Sequence, residues 1–179
     1  MAESPDQPET APRSEPGLPG VERHGGTRAA SPEQEARARA FAIDAARCLH
    51  DDKCTDILVL DLRGRSQITD FFVIASGTSD RQMRASGQHI DDLGREQQFT
   101  LHRDNLREPD ATWLVLDFVD VVVHVFEPQT RLFYDLEMLW GDAERLDWSR
   151  PGESMPAVTA DPSRNRAGLR PDDELPGLS

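Results

Sequence analysis

Residues 113–142 read WLVLDFVDVVVHVFEPQTRLFYDLEMLWGD, the most apolar and most regularly patterned stretch of the chain. Residues 113–118 and 121–126 are rich in Val, Leu and aromatic side chains, and only Val119 and Asp120 separate them. Such runs pack well on a pleated surface, and a two-residue spacer between them reads as a hairpin turn. The second run is dominated by Val, which suits a strand buried on both faces. Alternation along the first places Trp113, Val115 and Asp117 on one face and Leu114, Leu116 and Phe118 on the other. Pro128 suits the first turn of a closing helix, predicted over residues 129–140. On a helical projection Leu132, Phe133, Leu136, Leu139 and Trp140 gather toward the sheet, and Tyr134 and Met138 point away from it. A Tyr and a Met four residues apart on an outward face either bind a partner or lie beneath a neighbouring loop.

Upstream, Ser31 followed by Pro32 is a helix start. The helix should run to about residue 51, with Ala38, Phe41, Ala42, Ala45, Cys48 and Leu49 as its apolar stripe and Arg37, Asp44 and Arg47 opposite. Strands are predicted at 57–62 and 71–76. Ser79 and Gln82 have capping-box spacing for a second helix. Its stripe of Met83, Gly87, Ile90 and Leu93 is narrow, and Gly87 would let it approach the sheet closely. A short strand is predicted near 99–102, and Pro109 marks the loop before residue 113. The order is α, β, β, α, β, β, β, α: an α/β (α+β-like) fold with a mixed sheet of about five strands and helices packed against it.

The chain has 179 residues, which suits one domain. Residues 1–30 and 149–179 are rich in Pro, Gly and charge and poor in large apolar side chains. They read as disordered tails, because they cannot bury enough surface to offset their ordering entropy. The folded part is then 31–148. The net charge is −13, and residues 31–148 carry 23 acidic against 13 basic side chains, so the acidity belongs mainly to the domain. That argues against direct DNA binding, since phosphate repels such a surface, and it suits a basic protein partner or plain solubility. No run of 18 apolar residues occurs and the start lacks a signal-peptide pattern, so neither a membrane span nor secretion is expected. Cys48 and Cys54 fit free thiols in a reducing cytoplasm.

Signals for chemistry are weak. Gly77, Thr78 and Ser79 open a helix but lack the glycines and the Gly-Lys-Ser/Thr of a phosphate-binding loop; a capped turn explains them. Asp117, Asp120 and Asp61 raise a metal-dependent nucleotidyltransferase as the alternative function, because paired carboxylates hold magnesium in that chemistry. A routine turn role for Asp120 competes with it. Cys48, His50, Asp51 and Cys54 have no second ligand pair at zinc spacing. His124, alone in an apolar strand, reads as a hydrogen-bonded packing residue. No cofactor or catalytic residue is assigned, and binding is favoured over catalysis.

Residues 56–64 (DILVLDLRG) and 66–82 (SQITDFFVIASGTSDRQ), then 113–126, then FYDLEMLWGD at 133–142, closely resemble the ribosomal silencing factor family, also called RsfS or Iojap. The motifs occur in the family's order across roughly 35–148. The resemblance implies a nucleotidyltransferase-like topology without catalytic carboxylates, and a cytoplasmic translational repressor rather than an enzyme. It implies binding to the large ribosomal subunit through ribosomal large-subunit protein fourteen, at the face where the small subunit docks. Subunit joining would be blocked sterically and translation lowered when nutrients are scarce. Matched by position, the partner-binding residues are Trp113, Asp117, Asp120 and Tyr134, with Met138 added from the helix projection. A homodimer using the same aromatic face is a further expectation. One departure stands out: Val119 occupies a position where the family usually has Gly. Val resists positive φ, so a turn of another type is expected.

Overall fold

The computed structural model describes residues 31–155; the tails expected at 1–30 and, for the most part, at 149–179 lie outside them. Helix α1 (Pro32–Asp51) starts as its sequence predicts. The Ser31 hydroxyl accepts from the Gln34 backbone N–H and the Gln34 side chain returns to the Ser31 N–H, so two orphan donors are satisfied reciprocally. Strands β1 (Thr55–Asp61) and β2 (Phe71–Ser76) follow, then α2 (Asp80–Glu96), β3 (Arg103–Asp104), β4 (Trp113–Asp117) and β5 (Val121–Phe126). Two short helices, α3 (Pro128–Tyr134) and α4 (Leu136–Leu139), lead to β6 (Glu144–Arg145).

The six strands form one mixed sheet in the order β3-β4-β5-β2-β1-β6. Only β2 and β5 pair in parallel, with Phe72 opposite Val122 and Ile74 opposite His124. Alternation gives the sheet two apolar faces. On the first, Val59, Phe71, Val73, Leu114, Leu116, Val121, Val123 and Val125 pack beneath α1 and α2, with Phe41, Ala42, Ala45, Leu49, Met83 and Ile90 facing them. Gly94 is needed there: a Cβ would stand 2.6 Å from the Phe118 ring. A Cβ at Gly87 would collide with the Leu106 side chain, so this glycine admits the segment after β3 as well as the sheet. On the second face Leu58, Leu60, Leu62, Ile74 and Phe126 are covered by Leu136, Trp140 and Ala143.

Four expectations need correction. The strand expected near 99–102 falls at Arg103–Asp104, because Phe99 turns inward to stack on Phe41 at 4.4 Å. A sixth strand, β6, pairs with Leu60 and Asp61. Beyond it Leu146 and Trp148 donate to the carbonyls of Val59 and Ile57 and close that sheet edge. Val119 does take positive φ, +74°, in the turn before β5. The closing helix is not continuous: Asp135 adopts a left-handed conformation (φ +44°) and splits it into α3 and α4.

The split has an electrostatic cause. Arg131 and Glu137 are both buried, and Arg131 Nε lies 2.6 Å from Glu137 Oε1 while its Nη1 donates to Ser76 Oγ at 2.8 Å. Six residues along an unbroken helix lie on different sides and roughly 9 Å apart. The turn at Asp135 brings them together, so neither charge is buried alone. It also changes which side chains reach the sheet. Leu136 and Trp140 pack as expected, but Phe133 and Leu139, assigned to the sheet side, are exposed.

Candidate functional site

Helices α3 and α4 cover the β1–β2 half of the second face. Toward β4 the same face carries Trp113, Val115 and Asp117, spaced by two along the strand, and all three remain partly exposed. The rim of α3 and α4 beside them presents Phe133, Tyr134, Met138 and Leu139, which are 54%, 42%, 59% and 67% exposed. Four large apolar side chains in seven residues, left outward by helices that bury an Arg and a Glu, form a patch of the kind that marks a protein-binding surface.

The patch has an ordered aromatic centre. The Trp113 ring stacks on Phe126 at 4.8 Å and meets Tyr134 at 4.8 Å, and Tyr134 meets Phe133 edge-on at 5.2 Å. The Trp113 indole N–H donates to His124 Nδ1 at 3.2 Å. An indole nitrogen only donates, so Nδ1 accepts and the His124 proton sits on Nε2. Nε2 is buried and has no hydrogen-bond partner among the described residues. Burial lowers the His124 pKa from 6.5 to about 4, against a smaller opposing influence of Asp117. The imidazole is therefore neutral at physiological pH.

Asn105 fixes the backbone of the same strand. Its side-chain N–H donates to the Trp113 carbonyl and its oxygen accepts from the Val115 N–H, each at 2.9 Å. One amide thus fills ladder positions that β3 is too short to reach, and guards an otherwise open edge.

The five sequence-predicted residues divide into two groups. Trp113 and Tyr134 touch, and Met138 follows on α4. Asp117 and Asp120 lie at the other end of β4, around the turn. Asp117 Oδ1 accepts from the Val119 N–H at 2.8 Å, and the Asp120 carbonyl accepts from the N–H groups of Asp70 and Phe71. Burial and the nearby Asp120 raise the Asp70 pKa, so this end of the sheet is locally negative. Spacing by two on one strand linked the two groups in sequence. Phe133 and Leu139 were missed because an unbroken helix was assumed, and the Trp113–His124 bond because it depends on strand register.

The carboxylates of the nucleotidyltransferase alternative do not converge. Strands β5 and β2 separate β4 from β1, and Asp61 is engaged by Arg63, whose Nε lies 2.9 Å from Oδ1. Among the described residues no group of three or more His, Cys, Asp or Glu is placed to hold a metal ion. Both thiols are pushed up, chiefly by burial, Cys48 to about 11. A groove of about 1230 Å³ lies between α2 and residues 98–109. Of the arginines that line it, Arg84 is engaged with Asp80 and the carbonyls of Leu106 and Glu108, and Arg95 with Asp91 and Asp92. Among the described residues no helix is long and apolar enough to cross a membrane.

Comparison with known proteins agrees with this architecture. A ribosomal silencing factor RsfS of Bacillus subtilis is 41% identical over 105 residues, 59% of this chain and 87% of that protein. The chloroplastic protein Iojap of Zea mays is 37% identical over 115 residues, 64% of this chain and 50% of that protein. A crystal structure of a Chromobacterium violaceum protein superposes with a TM-score of 0.53 at 29% identity, over 64% of this chain and 92% of that one. The model of the family "Ribosomal silencing factor during starvation" matches residues 34–173, past the boundary expected at 148. On that match, which spans most of its length, the chain belongs to the family of ribosomal silencing factors.

Proposed function

We propose that this chain represses translation by occupying the large ribosomal subunit, through ribosomal large-subunit protein fourteen, where the small subunit would otherwise dock. The observation that carries the reading is the exposed aromatic patch beside acidic residues, in a member of this family. Trp113, Phe133, Tyr134, Met138 and Leu139 supply the apolar anchor that a stable interface needs at its centre. Asp117 and Asp120 stand at the rim, where carboxylates meet basic side chains and orient the encounter.

Repression of this kind needs occupancy alone. The small subunit and the factor compete for one surface of the large subunit, so the effect rises with factor concentration and falls with excess small subunit. It calls for no cofactor. The face used is the open half of the sheet, away from α1, α2 and their groove. Such a factor acts in the cytoplasm on free large subunits when nutrients are scarce.

The test is subunit joining measured by light scattering with purified subunits. Pre-incubating the large subunit with the chain should lower the amplitude of joining, and added small subunit should restore it. Cross-linking from position 133 should capture ribosomal large-subunit protein fourteen. Unchanged joining at saturating factor would overturn the proposal.

A further inference from the structure

His124 lies at the centre of the second face, between the half covered by α3 and α4 and the half left open. Its strand neighbours on that face are Val122 and Phe126 on β5, and across the ladder Val115 on β4 and Ile74 on β2. The Phe72 ring meets it edge-on at 4.7 Å, and Trp113 lies at 5.8 Å. The side chain is 6% exposed. A buried polar group with one unpartnered nitrogen is costly, and a Val or Leu would fit the apolar surroundings better. Among the described residues the single hydrogen bond the imidazole makes runs to Trp113 Nε1, the polar handle of the patch's central aromatic ring.

A Trp ring held only by its ring contacts with Phe126 and Tyr134 can still tilt about its side-chain bonds. The bond to His124 removes that freedom, because the indole N–H has one acceptor and one direction. The orientation of Trp113 then sets where Tyr134 rests against it, and hence the contour presented by α3.

We propose that His124 is a positioning residue for the docking face: its Nδ1 holds the Trp113 indole in the plane that receives Tyr134, and so preorganises the aromatic anchor for the ribosomal partner. The inference rests on the proposed ribosomal reading. Preorganisation raises affinity by removing an ordering cost from binding, without any contact between His124 and the partner.

The experiment pairs His124→Val, which keeps the strand but removes the acceptor, with His124→Asn, whose oxygen can stand near the position of Nδ1. Both are made in the full chain. The free proteins are read by the indole N–H resonance of Trp113, assigned through Trp113→Phe, and by its rate of exchange with solvent. Binding is read by co-sedimentation with purified large subunits. We expect His124→Val to shift the resonance, speed its exchange and weaken binding roughly fivefold to tenfold, the scale of one lost neutral hydrogen bond. His124→Asn should stay within about twofold of wild type.

A double-mutant cycle guards against general destabilisation. In the Trp113→Phe background the same His124→Val change should cost less than about twofold, since the donor is already gone. Equal penalties in both backgrounds, an unmoved indole resonance in His124→Val, or Asn failing as badly as Val would each overturn the proposal. Failure of the wild type to sediment with the large subunit would overturn the ribosomal reading and with it the docking role. The indole measurement on the free chain separates that failure from an error about Trp113 itself.

Discussion

Val119 holds φ +74° in the turn between β4 and β5, where the Asp120 N–H bonds back to the Phe118 carbonyl across a single residue. That is the tight γ-type turn, which is strained for any residue with a Cβ. Asp117 steadies it by accepting the Val119 N–H. Replacing Val119 with Gly should raise stability by roughly 0.5–1 kcal/mol, the relief of left-handed strain less the entropy that Gly adds to the unfolded chain. Urea unfolding should show a higher midpoint at an unchanged slope; a lower midpoint would mean that the Val119 side chain contributes packing worth more than its strain. The departure from Gly was legible in the sequence, but its consequence was not. Two strands in fixed register can hold a β-branched residue in a conformation its own preferences oppose. His124 carries a second residue-scale prediction. Its pKa falls from 6.5 to about 4 on folding, so its contribution to stability is complete above about pH 6.5. It is lost as the pH falls toward 4, because the unfolded chain then binds a proton that the native chain does not. The slope attributable to it is at most ~1.4 kcal/mol per pH unit. Denaturant unfolding between pH 7 and 4.5 should therefore show a shallower decline in His124→Asn than in the wild type; equal slopes would contradict a buried neutral imidazole.

Among the elements, the α3–α4 break is the feature that shapes the patch. Arg131→Met alone leaves Glu137 buried without its cation and should cost about 3–5 kcal/mol. Arg131→Met with Glu137→Leu should recover most of that loss in thermal or chemical unfolding, because an apolar pair of similar volume replaces two desolvated charges. If the double variant is as unstable as the single, the pair is not what holds the break. Sequence periodicity revealed the long elements well. The caps at Ser31 and Ser79, the stripe of α1, the alternation in β4 and the two-sided burial of β5 stand where the pattern put them. It could not reveal the break, since on an unbroken helix Arg131 and Glu137 read as solvent-facing residues and nothing local says that they bury each other. The two-residue strands β3 and β6 are too short to carry a period, and they exist because β4 and β1 offer edges to pair with. Part of the exposed patch was therefore readable at Trp113, Tyr134 and Met138, and its extension to Phe133 and Leu139 required the backbone turn at Asp135.

At the scale of the whole molecule, the sheet separates a face sealed by helices from the face proposed for docking. The first is sealed by α1 and α2. The second is half covered, and its open half combines an aromatic patch with a negative end near Asp70 and Asp120. With a net charge of −13, association with a basic ribosomal surface should slow as salt rises, while dissociation, governed by the apolar anchor, should change little. Stopped-flow binding at two ionic strengths checks this; a salt effect confined to dissociation would place the carboxylates inside the interface instead of at its rim. The most direct test of the account is co-sedimentation of the full chain with purified large and small subunits, comparing wild type, Tyr134→Ala and Gln88→Ala, the last in the groove on the opposite face. The account predicts that wild type and Gln88→Ala pellet with the large subunit and not the small, and that Tyr134→Ala binds at least about tenfold more weakly, as expected for an interface anchor. Equal binding of Tyr134→Ala, or a loss in Gln88→Ala alone, would contradict it and move the docking face to the other side of the sheet.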